Sequence, residues 1–152
     1  MDQTTAIEAI AGVIQLAVAP VFLLAGIAGM LNVLTSRLGR VVDRFRKIET
    51  KMVGEAHDEH VAVLQKETQG LWQRIQLINW AIRTFVLGAL LISLVIVALF
   101  CGELVAIDLS TMIATFFVIA MCFIIVGLVL FLFEVSTATK HINSGISGIL
   151  QE

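Results

Sequence analysis

The chain has 152 residues, 59% of them apolar and 14% charged, with a formal net charge of −2, and its mean hydropathy is +0.97. A soluble domain is about half apolar and a quarter charged. A chain of this length cannot hide so much apolar surface from water, so the composition excludes an ordinary soluble domain and calls for lipid. The small net charge conceals an uneven distribution: nine of the ten Lys and Arg fall between Arg37 and Arg83, and the tenth is Lys140.

Residues 1–34 form an outside N-terminus and transmembrane helix 1. Its apolar run extends from about Ile7 to Leu34 and is broken only by Glu8, Gln15 and Asn32. The start does not read as a cleavable signal peptide, because it has Asp2 and Glu8 in place of a basic segment and its apolar run is too long. Pro20 is tolerated or kinks the helix.

Residues 35–83 carry the basic cluster and read as a cytoplasmic helical hairpin. Apolar side chains recur at Leu34, Leu38, Val41, Phe45, Ile48 and Met52, then at Val61, Leu64, Leu71, Ile75, Ile78 and Ile82 with Thr68 filling one gap. These alternating steps of three and four are heptad-like stripes on helices. The polar stretch Gly54 to Asp58 breaks them, so the turn is expected near 54–59. The simplest arrangement extends the first two spans into an antiparallel coiled coil, with residues 35–53 reaching roughly 28 Å beyond the membrane. Val42 and Trp72 add a second apolar edge, which suits contact with a neighbouring subunit.

Residues 84–104 form transmembrane helix 2, residues 105–110 a short outside link, residues 111–133 transmembrane helix 3, and residues 134–152 a cytoplasmic tail. Each span supplies the roughly 20 residues needed to cross a ~30 Å hydrocarbon core, and none alternates as a barrel strand would. Asp108 or Ser110 is suited to cap the third helix. Basic loops stay in the cytoplasm, so the expected orientation is N-terminus outside and C-terminus inside. Trp80 falls near the inner interface. The fold class is therefore an all-α membrane protein with three transmembrane helices. Cys101 and Cys122 lie in apolar runs and read as unpaired small hydrophobes.

The first span differs from the others in its Gly, Ala and amide content. Along one helical face lie Glu8, Gly12, Gln15, Ala19, Phe22, Gly26 and Gly29, continuing through Ser36 or Arg37 to Arg40 and Arg44. Two readings compete. Small residues let membrane helices pack closely, with amides bonding between them and the basic stripe solvated or drawn to anionic lipid. Alternatively, several copies place this face around an axis, with rings of Glu8, Gln15 and arginines along a pore and Phe22 as a hydrophobic constriction. Glu134 ends the third span at the depth where Arg37 and Arg83 end the others, and a carboxylate there demands a partner. An ion pair from Glu134 to Arg83 or Arg37 is expected.

The cluster Glu55, His57, Asp58, Glu59 and His60 sits at a polar turn and reads as solvated, so no metal site is expected. No nucleophile elbow, phosphate-binding loop or HExxH is present, which argues against an enzyme, and no cofactor is expected. The basic residues are interleaved with acids and an apolar seam, which argues against nucleic acid.

The run from Val18 to Glu49, above all Asn32 to Arg46, resembles a family of small bacterial three-span membrane proteins catalogued as a domain of unknown function. The segments Gln73–Arg83 and Leu130–Ser136 fit the same family. The resemblance implies a bacterial inner-membrane protein and brings no activity, substrate or site residue. In arrangement alone, the chain is also similar to calcium-selective channels whose first helix lines the pore. The sequence thus predicts a homo-oligomer in membrane lipid that conducts or regulates ion flow. The alternative is a scaffold whose hairpin recruits a cytoplasmic protein.

Overall fold

The computed structural model describes residues 3–54, 58–105 and 108–149, and they form three helices: α1 (Gln3–Gly54), α2 (Asp58–Val105) and α3 (Ser110–Ile149). With 52, 48 and 40 residues, these are about 78, 72 and 60 Å long at 1.5 Å per residue. Each exceeds a ~30 Å hydrocarbon core. All three contain stretches long and apolar enough to cross a membrane, within Ile10–Thr50, Thr68–Gly102 and Ser110–Ala138. The chain is accordingly an all-helical, multi-pass membrane protein.

Helix α1 passes through Pro20 without interruption, as lipid-embedded helices allow. Helix α3 runs on through the segment expected to be a tail, as far as Ile149. The reason is local: no Pro or Gly follows Gly127 until Gly145, so nothing stops the helix at the end of the apolar run. At its start, Leu109 O accepts the first helical bond from Ile113 N at 2.9 Å. Asp108, one residue earlier, accepts from the Ser110 amide at 3.0 Å and from the Ser110 hydroxyl at 2.6 Å. These bonds, the side-chain one foremost, hold the Asp108 carboxyl below its ordinary value of 3.8.

The chain divides into two compact units. The first comprises Met1–Leu31 and Thr84–Val126. Its buried side chains include Val13, Ala17 and Ile27 from α1, Phe85, Ile92, Val95 and Ala98 from α2, and Ala120 and Ile124 from α3. Gly88 lies at a close approach of α2 and α3: a Cβ there would lie 3.2 Å from Ile124 Cγ1 and 3.4 Å from the Ala120 carbonyl oxygen. By contrast, a Cβ on Gly12, Gly26 or Gly29 would meet nothing within 4 Å.

The second unit comprises Asn32–Arg83 and Gly127–Glu152. Leu34, Val41 and Ile48 are buried on α1, and Leu71, Ile75, Ile78 and Ala81 on α2. Leu38, Phe45 and Ile82 are half-buried beside them. The predicted apolar stripes are thus the faces turned inward. Helix α3 joins them, with Glu134 fully buried, so this unit is built from three helices and not from a two-helix hairpin alone. Residues 55–57 at the predicted turn, and 106–107 in the predicted link, lie outside the described residues. So do the side chains of Met52, Asp58, Glu59, His60, Val61 and Leu64.

Candidate functional site

Within the second unit, a carboxylate from α3 is held by arginines from α1 and α2. Arg37 Nη2 lies 2.8 Å from Glu134 Oε2. Arg74 donates through Nη2 and Nε to Glu134 Oε1, at 2.8 and 3.2 Å. The Glu134 side chain is fully enclosed, while Arg37 and Arg74 keep 25% and 20% of their side-chain exposure. An isolated carboxylate would be very costly there, and two guanidiniums compensate it. The Arg37 guanidinium also lies 5.5 Å from the centre of the Phe131 ring, within cation–π range. Arg37 Nε and Glu134 Oε2 are both buried without a hydrogen-bond partner among the described residues, so Arg37 meets the carboxylate as an ion pair.

Of the two partners expected for Glu134, Arg37 is in contact and Arg83 is not. Arg83 is exposed and lies over the Trp80 ring at 5.2 Å. The reason is register. Arg37 lies 17 residues before the end of α1 at Gly54, and Arg74 lies 16 residues after the start of α2 at Asp58. Two helices folded back on each other bring these positions level. Arg83 lies nine residues further along α2, about 13 Å at 1.5 Å per residue. Equal distance from the ends of the apolar runs is a poorer guide to depth than equal distance from the turn.

Beside this triad is a cavity of about 390 Å³ lined by Arg37, Arg40, Val41, Arg44, Leu71 and Arg74. None of the six is acidic. The basic stripe read from α1 therefore faces a recess shared with α2. Arg74 is the residue that sequence reasoning missed in both places. Its signal was the matching distance from the turn.

On the same unit, Trp72 is 54% exposed and packs against Phe45 with ring centres 6.5 Å apart and planes tilted by 42°. Trp72 therefore packs on Phe45 of the first apolar stripe, while Val42, the other residue expected on a second edge, is half-buried.

In the first unit, the α1 face formed by Glu8, Gly12, Gln15, Ala19, Phe22, Gly26 and Gly29 is exposed at every position, with Phe22 at 73%. Two hydroxyls elsewhere in the spans bond within their own helix: Ser93 donates to Ala89 O and Thr115 to Thr111 O, at 2.9 and 2.8 Å. The Gln15 amide has no such partner among the described residues.

No curated protein and no solved structure matches the chain. Residues 17–144 match the model of a family described as "Protein of unknown function (DUF2721)", a range that holds the triad, the cavity and most of the exposed α1 face. The chain belongs to this family of unknown function.

Proposed function

We propose that this protein is the subunit of a homo-oligomeric membrane assembly that conducts or regulates ion flow, with the first half of α1 at its axis. The observation that carries the reading is the exposed Gln15 amide on a face with Gly12, Ala19, Gly26 and Gly29, where Phe22 is the one bulky apolar member. An unbonded primary amide within a span is costly against lipid. The glycines on its face serve no close approach inside the chain. A second copy, or water along an axis, would satisfy the amide and use the glycines.

In this reading Glu8 lies at the outer mouth, Gln15 midway and Phe22 at a constriction. The lining is assigned to Glu8 through Gly29. Arg37 is withdrawn from it by its bond to Glu134, and Arg40 and Arg44 belong to the cavity wall. The clustering of basic residues between Arg37 and Arg83 supports a cytoplasmic location for that segment, with the N-terminus outside, and the resemblance carried by Asn32 to Arg46 supports a bacterial inner membrane.

The test is thiol accessibility. Cys101 and Cys122 are exposed free cysteines, so both are first replaced by Ala. Single cysteines at Gln15, Gly26 and the oppositely placed Ala17 are then challenged with a membrane-impermeant thiol reagent in vesicles. Modification at 15 and 26 but not 17 is expected, and protection at all three positions would exclude a water-filled axis.

A second reading, in which the cytoplasmic unit recruits a partner protein, is favoured by one observation, the exposed Trp72 on its surface. In that case Trp72→Ala abolishes a specific cross-link from the unit to another protein, while self-association survives.

A further inference from the structure

We infer that the cavity walled by Arg37, Arg40, Arg44 and Arg74 is a binding site for a phosphate-bearing anion. The inference stands whether or not the oligomeric reading holds.

Four guanidiniums converge on one recess of about 390 Å³, and among the described residues none of its lining is acidic. The carboxylate of Glu134 engages Arg37 and Arg74 through one oxygen each. Two arginines would neutralise more than one carboxylate, and Arg40 adds a further positive charge. It is exposed and makes no hydrogen bond or ion pair among the described residues. Arg44 has a contact of its own within the chain and contributes to the wall. Such concentrated like charge is unfavourable without an anion. The volume falls in the range of small-molecule sites.

The chemistry of the donors selects the ligand. Guanidiniums present planar forks that match the oxygens of phosphate, and do so better than ammonium groups. Glu134 already shows the fork in use, with Arg74 bonded through both Nη2 and Nε. Val41 and Leu71 give the recess an apolar side, which suits a phosphate attached to an organic group. Arg37 and Arg40 follow directly on the apolar run that ends at Leu34. Basic recesses between membrane helices at that depth hold anionic lipid head groups. A soluble phosphate compound shares the same chemistry, so the experiment separates the two sources.

Full-length protein is purified in a neutral detergent. Retention of phosphatidylglycerol against phosphatidylcholine is measured by native mass spectrometry, and binding of inorganic pyrophosphate by calorimetry. The variants are Arg40→Gln, Arg40→Lys and Arg46→Gln. The last removes the same charge from an exposed position of the same helix outside the cavity. Thermal unfolding confirms that each variant is folded.

Arg40→Gln is expected to weaken anion binding roughly tenfold, the loss of one charge-assisted contact. Arg40→Lys recovers part of that loss, and Arg46→Gln changes binding less than twofold. Selective retention of phosphatidylglycerol without pyrophosphate binding identifies a lipid head group. Pyrophosphate binding lost in Arg40→Gln identifies a soluble anion. Equal losses in Arg40→Gln and Arg46→Gln would reduce the effect to the general basic field, and absence of both ligands from the unaltered protein would overturn the site.

Discussion

Replacing Glu134 by Gln keeps the shape of the side chain and removes the charge that joins three helices. The carboxylate is fully enclosed and meets Arg37 and Arg74 at 2.8 Å each. Breaking a buried ion pair by removing one partner costs roughly 3–5 kcal/mol, because the other charge is left uncompensated. Here the surviving charges are the guanidiniums, which retain 25% and 20% exposure. Water screens them in part, so the expected loss is about 2–3 kcal/mol. The assay is reversible unfolding in mixed micelles for Glu134→Gln, Arg74→Gln and the double variant. A coupling energy of about 1–3 kcal/mol between the two sites is expected, as for residues in one network. Arg83→Gln serves as the contrast: its ring contact with Trp80 is exposed and should contribute about 0.5–1 kcal/mol. The reasoning fails if Glu134→Gln unfolds like the unaltered protein, or if Arg83→Gln costs as much as Arg74→Gln.

Three further outcomes follow from the packing. Gly88→Leu should destabilise the chain by about 1–3 kcal/mol through overpacking, since even a Cβ would lie 3.2 Å from Ile124, whose β-branched side chain is stiff. Gly26→Leu should leave single-chain unfolding unharmed, because nothing lies within 4 Å of a Cβ there, while weakening self-association measured by analytical ultracentrifugation in detergent; intact self-association would count against α1 as the contact. Ile78→Ala, at a fully buried position, should cost about 2–5 kcal/mol in the same unfolding assay. The exposed Leu132→Ala should change little, and parity between the two would contradict the assignment of the inner face.

The pH dependence at Asp108 has a definite sign. Its folded-state carboxyl is lowered by the bonds from Ser110, so it stabilises the start of α3 above the ordinary value of 3.8 and loses that contribution as pH falls through the lowered value. Comparing Asp108→Asn with the unaltered protein across pH 2 to 6 checks this: the stability difference should shrink toward the acid end, and a constant difference would exclude a role for the charge.

Local chemistry was enough to determine the spans. Runs of Leu, Ile, Val and Phe long enough to cross a bilayer must be helical there, because lipid offers the backbone no other hydrogen-bond partners. The alternating apolar steps from Leu34 to Ile48 and from Leu71 to Ile82 likewise identified the inward faces, since helical periodicity is a local property. Demand for a partner at Glu134 was legible for the same reason: a lone carboxylate among apolar residues cannot go uncompensated. Which arginines answer that demand depended on tertiary structure. Arg74 and Arg37 are brought together by the register of two helices about the turn, a distance in space that spacing along one helix does not contain. The convergence of Arg37, Arg40, Arg44 and Arg74 on one recess, and the enclosure of Glu134 of α3 by arginines of the other two helices, arose in the same way, from the packing of separate segments against one another.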